Sequence, residues 1–331
     1  MLNSSKLLFV TMMVGGTILT VSSDNMLGMW MGLEINMISF IPLISKSNNQ
    51  MASESGMIYF LVQSMGSILL LIMILSNSLI MVSSNFTNLL IINLIIFSMM
   101  IKLGAPPFHF WFPNMMQKMN WMNSFILMTW QKLAPLSILS KFMNNNMIMM
   151  LTMMAVIVGA IGGLNQTSLQ KIMAYSSINH LGWMFMAMKF SDQLWMIYLL
   201  LYSIMVAIMV MVFNYYSMFM INQIMMNSLS LSESGLMGMS MLSLGGLPPF
   251  IGFLPKWMVI QMMMNSELYS VIIIMIMMSL LTLFYYIRVI STMLMINSSS
   301  HKWNSMKTNN FFMNKMLTIN LILPLISLVN Y

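Results

Sequence analysis

Five ionisable side chains lie inside apolar stretches of this sequence. They are Glu34 in Met-Gly-Leu-Glu-Ile-Asn-Met, Lys102 in Phe-Ser-Met-Met-Ile-Lys-Leu-Gly, Lys132 in Leu-Met-Thr-Trp-Gln-Lys-Leu-Ala-Pro, His180 in Ser-Ser-Ile-Asn-His-Leu-Gly-Trp, and Lys256 just before Trp257. An ionisable group at the centre of a bilayer costs about 2.5–3.5 kcal/mol on insertion scales, so each is a functional candidate. Together they suit proton handling. A lysine taken out of water is driven toward its neutral form, and a nearby carboxylate drives it back. One pKa unit corresponds to about 1.36 kcal/mol, so parting a Glu–Lys pair by a few ångströms changes a lysine's proton affinity substantially. A neutral histidine can pass a proton between its two ring nitrogens.

Each candidate also has a static reading. Glu34 and Lys102 could be a buried ion pair that fixes packing. Lys132 could reach an interface beside Trp130 and Gln131. His180 could be structural, and His109 could bond a freed backbone carbonyl. Lys171 and Arg288 read as headgroup anchors near helix ends, Tyr285 and Tyr286 as interfacial aromatics, and the methionine-rich run 147–154 as lipid-facing or packing residues.

Two of the lysines border a pattern that occurs twice. Gly104-Ala-Pro-Pro-Phe-His-Phe-Trp-Phe-Pro113 and Gly246-Leu-Pro-Pro-Phe-Ile-Gly-Phe-Leu-Pro255 both read Gly-x-Pro-Pro-Phe-x-x-aromatic-x-Pro, with Lys102 before the first and Lys256 directly after the second. Proline inside a helix removes a backbone donor and clashes with the preceding turn, costing roughly 3 kcal/mol. Gly104, Pro106, Pro107 and Gly246, Pro248, Pro249 therefore mark broken helices. Paired interruptions at corresponding positions point to a transport site built from discontinuous membrane helices.

The composition agrees. The chain is 59% hydrophobic and 6% charged, with a mean hydropathy of +0.86, whereas soluble domains carry about 25% charged residues. This is an all-α polytopic membrane protein with no stretch long enough for a soluble domain. The net charge of +7 is dispersed and forms no basic run, which argues against nucleic acid as a partner. With no cysteine there are no disulfides, thiolate metal sites or iron–sulfur ligands on this chain. Three histidines, His109, His180 and His301, are too few for two bis-histidine haems. No cofactor or metal is expected here. Fifty-two methionines exceed any packing need and point to a biased genetic system such as an invertebrate organelle. No arginine-rich presequence is visible, and a chain made inside the mitochondrion needs none.

Hydropathy gives about eleven spans, near 6–22, 25–45, 56–75, 89–118, 124–142, 147–163, 168–188, 193–217, 236–264, 268–296 and 312–330, with 76–88 ambiguous. The fourth and ninth contain the breaks. From one break to the other the register advances by five spans, and an odd step reverses orientation. Residues 6–142 and 147–296 are thus expected to form two inverted five-helix repeats within one membrane domain covering 1–331, followed by a terminal helix at 312–330. One side holds Lys6, Lys46, Lys118, Lys302, Lys307 and Lys315, the other Lys141 and Lys189. The positive-inside rule then puts the N-terminus inside and the C-terminus outside.

With these residues in view, the chain closely resembles the antiporter-like membrane-arm subunits of mitochondrial NADH:ubiquinone oxidoreductase, respiratory complex I. The likeness rests on Lys102-Leu-Gly-Ala-Pro-Pro-Phe-His-Phe-Trp, Leu127-Met-Thr-Trp-Gln-Lys-Leu-Ala-Pro-Leu, Gly163-Leu-Asn-Gln-Thr-Ser-Leu-Gln-Lys-Ile-Met-Ala-Tyr-Ser-Ser-Ile-Asn-His-Leu-Gly-Trp, and Leu244-Gly-Gly-Leu-Pro-Pro-Phe-Ile-Gly-Phe-Leu-Pro-Lys-Trp. It implies that Glu34 matches the family glutamate, Lys102 and Lys256 the broken-helix lysines, Lys132 the bridging lysine, and His180 a position on the hydrated axis. It also implies a chain lacking the first three of about fourteen family helices, as animal mitochondrial versions do.

The expected function is proton translocation across the mitochondrial inner membrane, driven by quinone reduction elsewhere in the complex. The path would run along Lys102, Lys132, His180, Lys256 and water, with Glu34–Lys102 as a gate, the N-terminus in the matrix and the C-terminus in the intermembrane space. NADH, flavin (FMN), iron–sulfur clusters and ubiquinone would belong to partner subunits. Partners would include neighbouring antiporter-like chains, accessory subunits and phospholipids. The alternatives are an autonomous cation/proton antiporter subunit and a structural scaffold of the membrane arm.

Overall fold

A computed structural model describes residues 4–45, 49–79, 85–142, 145–226 and 231–299. Lys46, His301, Lys302, Lys307, Lys315 and the expected helix at 312–330 lie outside the described residues. Long apolar runs separated by short polar connections satisfy backbone hydrogen bonds within each segment, and helices result. Among the described residues there is no strand, only an isolated bridge between Ser168 and Met220. Among the described residues five helices are long and apolar enough to cross a membrane.

The chain divides into two compact units, with the boundary between Met147 and Ile148. The first contains α1 (Ser4–Ser22), α2 (Met26–Ile44), α3 (Gln50–Leu79), α4 (Asn85–Leu103), α5 (Trp111–Lys118), α6 (Trp121–Met128) and α7 (Trp130–Phe142). α4 packs on α3 and α7, and α2 on α1 and α3. The second contains α8 (Asn145–Gly163), α9 (Leu169–Phe190), α10 (Asp192–Tyr215), α11 (Ile221–Met226), α12 (Leu231–Gly245), α13 (Phe253–Asn265) and α14 (Tyr269–Ser299).

α9 is the buried centre of the second unit, with almost every side chain from Leu169 to Met188 covered. It is not among the five apolar spans, because it carries Gln170, Ser176, Ser177, Asn179 and His180 inward. Its neighbours α10, α13 and α14 supply the apolar surface that it lacks.

Both Gly-x-Pro-Pro-Phe segments break their helices, separating α4 from α5 and α12 from α13. The backbone does the same thing twice. Gly104 and Gly246 take φ of +65° and +83°, left-handed values that L residues other than glycine rarely adopt. Ala105 N–H bonds Met100 O and Leu247 N–H bonds Leu242 O, at 3.1 and 3.4 Å. Each is a six-residue closure of the Schellman type, with glycine at the first non-helical position. Phe108 N–H then bonds Ala105 O and Phe250 N–H bonds Leu247 O, at 2.9 and 3.0 Å.

A third interruption was not legible in the expected span 124–142. α6 stops at Met128 and α7 starts at Trp130, with Thr129 at φ −114° and ψ −70°. Pro135 lacks the N–H that would bond the Gln131 carbonyl, and its ring crowds that turn. Thr129 Oγ1 also donates to Phe125 O at 2.8 Å, so it competes with the regular ladder.

Candidate functional site

In the first unit, Lys102 lies in the last turn of α4 just before the first break, and Lys132 lies in the first turn of α7 just after the Thr129 interruption. Both are buried, at 6% and 2% exposure. Both line one cavity of about 20 Å³, shared with Asn36, Tyr59, Gln63 and Gln131 and closed by apolar side chains such as Trp111 and Phe112. Roughly 10–15 Å³ with a few polar partners holds one water, so the space suits a water between the two lysines.

The polar walls are tied together across three helices. Gln131 Nε2 donates to Asn36 Oδ1 at 2.9 Å, and Tyr59 OH donates to Gln131 Oε1 at 3.2 Å. Gln63 Nε2 donates to Lys102 O at 3.0 Å, and Trp111 Nε1 donates to Ile101 O at 3.2 Å. The last turn of α4 therefore has carbonyl partners that the interrupted helix cannot provide. Gly66 on α3 leaves room for the Lys102 stem; a Cβ there would lie 3.0 Å from Lys102 Cγ.

Glu34 on α2 is half-buried and within electrostatic reach of both Lys102 and Tyr59. It meets neither directly: among the described residues Glu34 and Lys102 form no ion pair within 4 Å. Nor does the Lys102 ammonium reach any hydrogen-bond acceptor among those residues. Lys132 does not snorkel; its ammonium lies 5.8 Å from the centre of the Phe112 ring, within cation–π range. His109 is half-buried beside Phe110 and outside the cavity lining.

In the second unit, Lys256 lies in the first turn of α13 but reaches back across the break, donating to Gly245 O at 2.8 Å. That carbonyl ends α12, where the helix dipole places partial negative charge. Lys256 is 5% exposed, and its ammonium sits 5.8 Å from the centre of the Trp183 ring. Trp183 and His180 are three residues apart on α9, hence on one face of that helix. His180 Nδ1 hydrogen-bonds Tyr198 OH at 2.9 Å, and its ring centre is 4.9 Å from that of Tyr202.

Two expectations are corrected here. Tyr285 and Tyr286 are not interfacial: they are 0% and 1% exposed, with ring centres 4.8 Å apart. Arg288 donates to Leu164 O and Gln166 O, closing the end of α8 instead of standing free at a headgroup. The polar lining formed by Asn36, Tyr59 and Gln63 was missed by sequence reasoning, since single amides and phenols in apolar spans carry no pattern.

Comparison with known proteins supplies the remaining context. Residues 23–282 match the family described as NADH:quinone oxidoreductase/Mrp antiporter, TM. The chain is 43% identical to NADH-ubiquinone oxidoreductase chain 2 of Anopheles gambiae, over 97% of this chain and 94% of that protein. It is 36% identical to the protein of the same name from Bos taurus, over 96% of each. Its backbone is similar to a chain of respiratory complex I from Thermus thermophilus, with a TM-score of 0.82 at 21% identity, covering 97% of this chain and 77% of that one. A chain of the Mrp complex from Dietzia sp. matches with a TM-score of 0.71 at 16% identity, over 87% of this chain and 59% of that one. At such identities the two structural matches establish a shared fold.

Proposed function

The chain belongs to the NADH:quinone oxidoreductase/Mrp antiporter family of transmembrane proteins, and on that premise we propose that it is a proton-translocating subunit of mitochondrial NADH–ubiquinone oxidoreductase. The observation that carries this reading is the water-sized cavity shared by buried Lys102 and Lys132. Lys102 releases a proton to water in that cavity and the water passes one on to Lys132, so one proton leaves for each that enters. Glu34 governs the transfer through space, by favouring or disfavouring positive charge on Lys102 as their separation changes. In the second unit His180 and Lys256 receive and release protons beside Trp183. Electron transfer, with its NADH, flavin (FMN), iron–sulfur and ubiquinone chemistry, belongs to partner subunits of the membrane-bound complex.

The two repeats are inverted, as the five-span step requires, and the matching closures at Gly104 and Gly246 support that symmetry. The lysine bias supports an N-terminus in the matrix, within the mitochondrial inner membrane. The test is Lys102→Met in the assembled complex, reconstituted in sealed vesicles. Protons moved per NADH oxidised should fall while the amount of assembled complex is unchanged. Normal stoichiometry overturns the relay.

A further inference from the structure

A second polar cluster lies inside the second unit, and the lysine relay does not use it. Tyr202 on α10, Tyr285 and Tyr286 on α14, and Ser176 and Ser177 on α9 are each 3% exposed or less. They lie around the same face of α9 as His180, whose ring centre is 4.9 Å from that of Tyr202 in a tilted arrangement. Ser177 stands beside the Tyr202 phenol and Ser176 beside the Tyr286 phenol, and Tyr202 and Tyr286 are within electrostatic reach of each other. The phenol oxygens of Tyr285 and Tyr286 are sealed from solvent; they lie within reach of each other, and Ser176 is within reach of the Tyr286 phenol, but none of these contacts has full hydrogen-bond geometry. Both serines donate to carbonyls one turn back, Met173 O and Ala174 O, at 2.9 and 2.7 Å.

Buried hydroxyls whose neighbours are imperfectly aligned are commonly completed by an ordered water. The cluster also has a direction. At about 1.5 Å per residue, His180 lies ~16 Å along α9 from Leu169, and Ser176 lies ~10 Å along it. On α14, Tyr285 and Tyr286 precede Arg288, whose guanidinium grips Leu164 O and Gln166 O between α8 and α9. The hydroxyls therefore step from His180 toward that end of the unit.

We propose that Tyr202, Tyr285 and Tyr286, with Ser176 and Ser177, hold buried water and form a hydroxyl branch that carries protons between His180 and the face where α8 ends and α9 begins. In the orientation given above this is the matrix face, so the branch supplies protons to His180. Each hydroxyl or water accepts a proton on a lone pair and releases its own to the next, so no group keeps a charge. Rotation of the O–H bonds, including those of the serines, resets the chain.

The branch rests on the relay proposed above, so the experiment separates the two. Tyr202→Phe/Tyr286→Phe, which keeps both rings, is compared with Lys132→Met in the assembled complex reconstituted in sealed vesicles. The double variant should assemble normally and lose about tenfold in proton-coupled turnover, the effect of about 1.4 kcal/mol on a barrier. Its rate ratio between H₂O and D₂O should rise, which a packing defect alone does not cause. Normal turnover and an unchanged ratio in the double variant, with Lys132→Met defective, overturn the branch and leave the relay standing. Normal behaviour in both variants overturns both. If the double variant does not assemble, a structure of the unaltered complex at water-resolving resolution decides. Water bonded to the Tyr285 and Tyr286 phenols supports the branch, and dry phenols overturn it.

Discussion

The two broken helices use one backbone device to position two different kinds of lysine. At both breaks a left-handed glycine closes the first half-helix with the same six-residue bond, followed by the same turn into phenylalanine. The lysines then diverge. Lys102 precedes its glycine, so its side chain leaves the end of α4 toward the cavity, and Gln63 and Trp111 take the freed carbonyls. Lys256 follows its break and satisfies a freed carbonyl itself, at Gly245. A break thus creates two needs, a reactive group in the membrane and a partner for the loose carbonyls. The first unit assigns them to different residues, and the second gives both to one lysine.

The strongest test of this comparison concerns a position where the two breaks are unlike. Gly252 occupies the place in its motif that Phe110 occupies in the first. A Cβ at Gly252 would lie 1.7 Å from Ser243 O and 2.9 Å from Met205 Sδ, whereas Phe110 is 71% exposed. Backbone cannot yield as a side chain tip can, so Gly252→Ala should destabilise the chain by at least about 3 kcal/mol. Phe110→Ala should change stability by no more than about 0.5 kcal/mol. Assembled complex and thermal melting after detergent extraction report both. Equal behaviour of the two variants would mean that the breaks are packed alike.

Next in size are the lysines themselves. Lys256→Met leaves the Gly245 carbonyl buried without its donor, which costs about 1–3 kcal/mol. It should therefore lower both the melting temperature and proton-coupled turnover. Lys102→Met removes an ammonium that bonds no carbonyl, so turnover should fall with little loss of melting temperature. The ratio of the two effects in each variant is the readout. A Lys102→Met complex that melts as low as Lys256→Met would show that Lys102 also has a holding role.

Gly104→Ala and Gly246→Ala separate the same roles more gently. Each forces a left-handed alanine, at roughly 1–2 kcal/mol. At Gly246 the new methyl meets Lys256 Nζ at 2.8 Å, a flexible tip that can move off Gly245 O; at Gly104 it meets Phe112 Cβ at 2.9 Å, which cannot. Gly246→Ala should thus act on turnover more than on melting, and Gly104→Ala the reverse.

How much of this was legible in the sequence follows from where each signal lies. The breaks and their lysines were plain, because proline and glycine act on their own backbone and a charge stands out in an apolar run. The Thr129 interruption was missed although Pro135 was in view, since a single proline often sits inside a membrane helix without dividing it. Asn36, Tyr59, Gln63 and Gln131 come together from α2, α3 and α7 only after folding, and no spacing in the chain connects them. Tyr285 and Tyr286 resemble an interfacial pair in a long apolar helix. Their burial depends on α9, a helix too polar to have been ranked as the centre of its unit.

The smallest expected effect concerns Gln63, which does for Lys102 O what Lys256 does for Gly245 O. Gln63→Met keeps length and removes the donor, but Lys102 O borders a cavity large enough for water. Water can replace the amide there, so the cost should be about 0.5–1.5 kcal/mol, at the lower end of what a hydrogen bond contributes. The Gly245 carbonyl is buried and its donor is the buried Lys256 ammonium, so the loss of Lys256 should cost more. Melting of the two variants side by side measures that difference. A larger loss for Gln63→Met than for Lys256→Met would mean that the amide, and not the water, holds the end of α4, and the division of labour between the two breaks would have to be redrawn.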